Sequence, residues 1–561
     1  MWGFHELRYL PVWAWLLWAV AAAAIFVTPK STRSDRRPIR AYVVAAVLAT
    51  VMLVLVLPDR VQFVGDFLLR QGTAEESLPP SALFPQALPL DIFLHVALPT
   101  WINQNMHAPP AVASRILDAL EAGALVLLGF AFARRGGLKG KEALACAVLV
   151  SWGGWLALFT GYSKAFTEMS LLVVACAISG VDALRGERRG YFYLCLAVAA
   201  GFAIHRSAVG FLPALAYVSW HALRAAPVAK PPRAKKDKAK TKAKEPIVPP
   251  WLPLLLPLVA LALALPKMIM SATKLDTAHF AARGEGFVSV VRDLVAPLHL
   301  LDLINLLIFL MPLVALLLVP APREGRPGPW SKREWIYLVM LGAPFWVITL
   351  VLRPAQGIPR DFDVFATPGV ALAVMVAARM ARVWHAAPGT ARFAGAVIAG
   401  AMVPVLLTLW LSADLTRGLV RVNALADGPP LRSESERGLW REYLGARYHR
   451  AKRYKEATAE FAQAASLAPS PNILASWGMA ARWAGDRESE ERAFTILLQR
   501  VPADRIAVRA AAYTGLARLA YERGEVDKAK GLLTQALQLD PQDRDARGLA
   551  ARIVAGAPAG P

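Results

Sequence analysis

Two carboxylates, Asp59 and Asp66, follow an apolar stretch, in the run Leu57-Pro58-Asp59-Arg60-Val61-Gln62-Phe63-Val64-Gly65-Asp66. Polar residues recur where later apolar stretches end: Gly161-Tyr162-Ser163-Lys164, Glu168, His205-Arg206-Ser207, Arg353, and Arg360-Asp361-Phe362-Asp363. Carboxylates accept protons and bind hydroxyls. Lys neutralises anions as a point charge, and Arg does so with a planar fork. Ionisable groups at a membrane boundary are costly unless they pair or act. Their convergence on one face of a membrane bundle therefore marks that face as the active one.

The elements that must position these residues are apolar spans. Of the 561 residues, 56% are hydrophobic, above the usual soluble share of about 45–50%. The excess lies in stretches of roughly 17–23 residues, the length that crosses hydrocarbon. About 12 spans are expected, at about 10–27, 41–57, 112–133, 143–159, 165–182, two within 191–222 broken at His205-Arg206-Ser207, 251–270, 298–320, 335–352, 364–378 and 393–412. No small-residue cleavage site follows the first, so it reads as retained. The mid-span regions read as nearly charge-free.

The loops between alternate spans are rich in Lys and Arg, among them Arg33, Arg36, Arg134, Arg135, Arg188, Arg323 and Arg382. The positive-inside rule makes those loops cytoplasmic. The loop 58–111 and everything after residue 413 then lie on the other side. The net charge of +22 is spread through these short loops, and the densest run, in the loop 223–249, carries Lys230 to Lys244 without interleaved aromatics. That pattern fits a solvated loop near anionic lipid and argues against nucleic acid. Cys146, Cys176 and Cys195 all lie in apolar stretches and read as packing residues. Within the loop 58–111, Leu90–Leu98 is apolar on one helical face and reads as an amphipathic helix lying on the outer leaflet.

Residues 414–561 change character: they are charged, alanine-rich and repetitive. Leu444, Gly445, Tyr448, Ala457, Phe461, Ala464 and Pro469 fit the tetratricopeptide pattern of about 34 residues. A degenerate copy holds Trp477, Gly478, Phe494 and Pro502, and a third holds Tyr513, Leu516, Ala517, Gly524, Ala529, Ala536 and Pro541. The expected fold is all-α, a polytopic bundle (1–413) followed by a soluble solenoid of tetratricopeptide repeats (414–561). The array reads as a protein- or peptide-binding groove, with a ligand-free helical cap as the alternative.

The many-span bundle, the early acidic outer loop with Gly65-Asp66, the Gly161-Tyr162-Ser163 turn, the late Arg-Asp-Phe-Asp and the repeat tail together resemble the GT-C superfamily. These are integral-membrane glycosyltransferases that use polyprenyl-phosphate sugars; eukaryotic O-mannosyltransferases with tetratricopeptide tails share the layout. The chain departs from the pattern in two ways. Asp59 and Asp66 replace the adjacent acidic pair of many members, and the loop follows the second span. The resemblance implies transfer of a sugar from a lipid-linked donor to a protein or glycan acceptor. It makes Asp66 the candidate general base, with Asp59 the runner-up; Gly65 leaves room for a substrate beside Asp66. Lys164, Arg206, Arg353 and Arg360 become candidates for the donor phosphate, and Tyr162, Asp361 and Asp363 for orienting substrate.

Each candidate also has a purely structural reading. Asp59 with Arg60, or Arg360 with Asp361, makes a local ion pair, and Lys164 and Arg206 snorkel at the interface. The spacing of His95, His107, His205, His279 and His299 matches no metal template, and a divalent metal is left open. The competing functions are an O-antigen ligase or polymerase, which usually carries its large outer loop late in the chain, and a non-catalytic membrane scaffold presenting the repeats to envelope proteins. Composition suggests a bacterial inner membrane with a periplasmic active face. An endoplasmic reticulum membrane would give the same topology.

Overall fold

The computed structural model describes residues 8–14, 16, 17, 19, 20, 39–70, 86–162, 164–224, 249, 251–275, 292, 294–320, 328–386 and 393–556. The second half of the expected first span, Ser163, nearly all of the Lys-rich loop and most of the 271–297 connection, with His279, lie outside them. Two compact units divide the chain, Met1–Gly418 and Leu419–Pro561.

In the first unit, seven helices among the described residues are long and apolar enough to cross a membrane: Ile39–Val56 (α1), Pro110–Arg135 (α3), Phe166–Leu184 (α5), Leu252–Thr273, Lys332–Val351 (α10), Phe362–Ala386 and Phe393–Ala413 (α12). The chain is a multi-pass membrane protein. Shorter helices, Arg188–Ile204 (α6), Leu212–Arg224 (α7) and Pro297–Leu310 (α9), stand where three more spans are expected. The stretch expected as a straight span at 143–159 is bent instead. Helix α4 (Gly140–Ser151) turns by 70° into a 3-10 segment, Gly154–Thr160. Gly153 and Gly154 stand at the bend and allow a close approach. A Cβ on Gly153 would lie 2.4 Å from the carbonyl oxygen of Leu310, and one on Gly154 2.5 Å from that of Phe309. The bend thus seats the 3-10 segment directly against the backbone of α9. At the N-terminus, Leu10 and Ala14 pack on Leu407 and Leu411 of α12, and Trp13 stacks on Trp410 at 4.6 Å.

Small residues let the helices approach closely. Gly129 of α3 meets the backbone of Ala147 in α4. Gly180 of α5 leaves room for the ring of Tyr337, whose hydroxyl donates to the carbonyl of Cys176 at 2.6 Å. The three cysteines are buried free thiols, as expected of packing residues.

The two ends of the bundle differ in chemistry. At one end, Arg135 forks onto Asp182 at 3.1 and 2.7 Å, and Arg185 reaches Glu334 at 2.5 Å and the Pro329 carbonyl at 3.1 Å. Ser331 and Glu334 form a capping box that starts α10. At the other end the segments 57–70, 86–109, 161–165, 205–211 and 352–363 come together.

The expected surface helix at 90–98 is a composite, here α2: Pro89–Ile92, a π-helical turn Phe93–Ala97, and Leu98–Met106. Pro99 has no N–H for the carbonyl of His95, and the Leu98 N–H bonds instead to Phe93 five residues back. Its two faces differ in polarity. Asp91 and His95 face inward and are buried, while Phe93, Trp101 and Met106 are exposed.

In the second unit, Glu434–Arg450 pairs with Tyr454–Leu467, Pro471–Ala484 with Arg487–Arg500, and Ile506–Glu522 with Val526–Leu539; Arg544–Val554 packs on the last pair. Phe461, Trp477, Phe494 and Leu497 share one core and Leu533, Leu549 and Ile553 another. Glycines let helices close onto aromatic rings. A Cβ on Gly478 would lie 2.5 Å from Phe494, and one on Gly515 2.3 Å from the same ring. Arg441 is buried between Asn423, Asp427 and Glu460.

Candidate active site

Three loops build a charged cluster at one end of the bundle. The first follows α1. Asp59 accepts the N–H of Gln62 at 2.8 Å and closes a turn in which Gln62 has φ +57°. The N–H groups of Arg60 and Val61 donate to the carbonyl of Ser412 at 2.9 and 3.2 Å, which ties the loop to the end of α12. Gly65 donates its N–H to the Arg360 carbonyl at 2.9 Å. It has φ +43°, and a Cβ there would stand 2.6 Å from the Tyr162 hydroxyl and 3.0 Å from Asp363. Both reasons call for glycine. Asp66 follows at once.

The second loop joins the 3-10 segment to α5. Gly161, at φ +115°, gives its N–H to the buried carboxylate of Asp118 at 2.8 Å. Two tight turns follow, Lys164 N–H to the Tyr162 carbonyl at 2.8 Å and Phe166 N–H to the Lys164 carbonyl at 2.7 Å. The third loop runs from α10 into a 3-10 turn, Phe362–Phe365. Gly357, at φ +81°, accepts the N–H groups of Arg360 and Asp361 at 3.1 and 3.0 Å.

The side chains meet. The Lys164 ammonium lies 3.3 Å from Asp66 and 3.1 Å from Asp363. Tyr162 donates its hydroxyl to the same oxygen of Asp363 at 2.5 Å. The Asp363 side chain is 1% exposed and that of Asp66 33%, so the first is an internal brace and the second reaches solvent.

Lys164 holds the Asp66 carboxyl below the ordinary carboxylate range; partial burial opposes this, and Arg70 and Arg360 reinforce it. Burial works against the Lys164 ammonium, but Asp363 and Asp66 outweigh it and its pKa is raised. Asp361 goes the other way. Burial and then the Asp363 charge push it up to about 7, against Lys164 and Arg360. Burial and the neighbouring acids carry Tyr162 well above its usual value, so its phenol stays a donor.

Of the residues expected to act together, Asp66, Lys164, Tyr162, Asp361, Asp363 and Arg360 converge. Lys164 is clamped between two carboxylates, which differs from a cation open to a phosphate. Arg360 lies near Asp66 and, at 5.9 Å, over the ring of Phe63. Arg206 stands beside His205, which burial and then Arg206 push down to about 3. Arg353 is exposed past the end of α10. Asp59 serves the turn before the cluster.

A second group of buried charges adjoins the first, and it corrects the expectation of charge-free spans. Arg70 forks onto Asp91 at 3.0 and 3.1 Å. His95 lies 2.9 Å from Glu168 and 3.9 Å from Asp91. Burial disfavours the His95 imidazolium, but Glu168 and Asp91 outweigh it and the pKa is raised. Asp118 and Glu121 sit inside α3 with Thr167, Glu168 and His95 around Glu121. Each has one buried carboxylate oxygen without a hydrogen bond. The signal for this layer is in the sequence. Asp91 and His95 are four residues apart, and Asp118 and Glu121 interrupt an apolar span, where acids are rare without a role. Among the described residues, no three His, Cys, Asp or Glu side chains are grouped to hold a metal ion.

No protein-family model matches the chain, and no curated protein matches it. A solved structure that does is the archaeal oligosaccharyltransferase AglB from Archaeoglobus fulgidus, in complex with an inhibitory peptide and a dolichol-phosphate. The match covers 84% of this chain and 59% of that one, at 14% identity and a TM-score of 0.25. A likeness of that degree carries no argument about activity.

Proposed function

We propose that the chain is a membrane glycosyltransferase of the GT-C kind, moving a sugar from a polyprenyl-phosphate carrier to a protein or glycan acceptor with Asp66 as general base. The observation that carries this reading is the Asp66–Lys164 pair at 3.3 Å, with Asp66 partly exposed at the end of a membrane bundle. An ionised carboxylate there can take the proton of an acceptor hydroxyl as the hydroxyl oxygen attacks the anomeric carbon. The bond from that carbon to the phosphate oxygen breaks, and the polyprenyl phosphate leaves with the electron pair. Once Asp66 is protonated, Lys164 loses one of its two counter-charges and can turn toward the departing phosphate. Arg360 is the second cation for that phosphate. Tyr162 and Asp363 hold Lys164 in place, and Asp361 meets sugar or acceptor hydroxyls.

The reading sets the cluster on the non-cytoplasmic face, the periplasm in a bacterial inner membrane, as the basic loops of the other end favour. The paired helices after residue 434 are then a tetratricopeptide array on the same side, with a groove for a protein partner; the Gly–aromatic contacts at Gly445, Gly478 and Gly515 fit that repeat. Asp66→Asn and Asp59→Asn, each expressed and folded, test the mechanism in a host lacking the native gene. Loss of surface or protein glycosylation with Asp66→Asn alone supports it. A glycosylation profile unchanged in both variants sinks it.

A further inference from the structure

The structure assigns to Asp118, a buried carboxylate inside α3, the positioning of the Gly161–Lys164 turn and through it of Tyr162 and Lys164. The inference deepens the proposed function, because these two residues brace and charge-balance Asp66. Its geometry stands apart from that reading.

One oxygen of Asp118 accepts the Gly161 N–H at 2.8 Å, and the contact is fully buried. Gly161 has φ +115°, open at low cost only to glycine, the residue with the most backbone freedom, so contacts from α3 decide where the turn sits. α3 holds it twice. Three residues before Asp118, the stem of Arg115 lies 3.0 Å from where a Gly161 Cβ would stand, and the Arg115 guanidinium donates to the Leu55 carbonyl at the end of α1. Residues three apart on a helix share a face, so Arg115 and Asp118 grip one peptide together. After it the backbone bonds run within the turn, Lys164 N–H to the Tyr162 carbonyl and Phe166 N–H to the Lys164 carbonyl. The Asp118 bond therefore fixes where the whole turn sits relative to α3. Beyond it, Tyr162 and Lys164 both end on one oxygen of Asp363.

An acid inside an apolar span is costly, and an unmade bond to a buried N–H is costly too. Replacing Asp118 by a group that cannot accept leaves the Gly161 N–H without its partner, and the turn relaxes. A shift of about 1 Å in a positioned group can lower a rate by about 10²-fold.

The test needs no substrate. 3-Fluorotyrosine is placed at position 162 of the full chain in detergent micelles, and its ¹⁹F resonance is recorded in the folded, monodisperse fraction. Asp363→Ala, which removes the acceptor of the Tyr162 hydroxyl, provides the reference shift. Asp118→Asn keeps an acceptor oxygen in the same place and leaves the resonance where it is in the parent. Asp118→Ala and the bulkier Asp118→Leu move it toward the Asp363→Ala position. The inference is overturned if the alanine variant leaves the resonance unmoved, or if the asparagine variant moves it as far as alanine does. A loss of fold stability without a change in the folded-state resonance also overturns it, since that is the behaviour of a purely structural acid. The resonance behaving as expected while Asp66→Asn leaves glycosylation intact would retain the positioning role and remove the proposed chemistry.

Discussion

Tyr162 donates its hydroxyl to Asp363 across 2.5 Å, joining two residues 201 positions apart in the chain. This bond links the turn before α5 to the loop that follows α10, and it shares its acceptor oxygen with Lys164. Tyr162→Phe removes one charge-assisted hydrogen bond from a buried carboxylate, worth about 1.5–3 kcal/mol. Denaturant titration of the purified variant should show a loss of that order, and activity should fall with it.

Asp66 owes its ionisation to Lys164 first, with Arg70 and Arg360 in support. An enzyme that needs ionised Asp66 loses activity as pH falls through that group's depressed pKa. Lys164→Met removes the leading cause, so the acid limb of the pH–rate profile should move to higher pH. Asp66→Asn should lower kcat by about 10²–10⁴-fold, the usual reach of a general base. An acid limb unmoved by Lys164→Met would assign the limb to another group.

Asp361 titrates at about 7 in the folded protein, against an unfolded value of about 3.9. Between those values the folded state holds a proton that the unfolded state has lost. Stability should therefore be greatest at the acid end of this window and decline as pH rises through it, levelling off above about 7. Asp361→Asn should flatten that decline. Unfolding midpoints across the window, measured for parent and variant, give the comparison.

Arg70 and Asp91 are both almost fully buried and bond twice. Breaking such a pair from one side leaves a charge in a low-dielectric interior, at a cost of about 3–5 kcal/mol. Arg70→Met should be destabilising on that scale. Arg70→Met with Asp91→Leu should recover much of the loss, because neither charge then remains. Equal losses in the single and double variants would show that packing, not charge, dominates at this place.

The sequence shows the spans and the polar residues at their ends because those signals are local. Hydropathy windows find Phe166–Leu184 and Phe393–Ala413 within a residue or two of where they lie. Asp66, Tyr162, Lys164, Asp361 and Asp363 come together as a set for the same reason: each sits where a span meets a loop at the same end. Their roles are less legible. Whether Lys164 meets a ligand or two carboxylates depends on contacts with residues 98 and 199 positions away, which no pattern in the chain encodes. The bend at Gly153-Gly154 is hidden by an apolar run that continues through it. The burial of Asp91 and His95 on the helix around them is not legible locally, because their partners Arg70 and Glu168 lie 21 and 73 positions away.

That helix also bears on how the molecule is put together. Its inner face carries Asp91 and His95, whose partners Arg70 and Glu168 lie elsewhere in the chain, Glu168 some 73 positions after His95. When Pro89–Met106 leaves the ribosome, α5 has yet to be made, and the His95 partner does not exist. The inner face of the segment is completed only once residue 168 has been made. The His95 contact of α2 therefore depends on α5, and a chain truncated before α5 should leave this segment more open to protease.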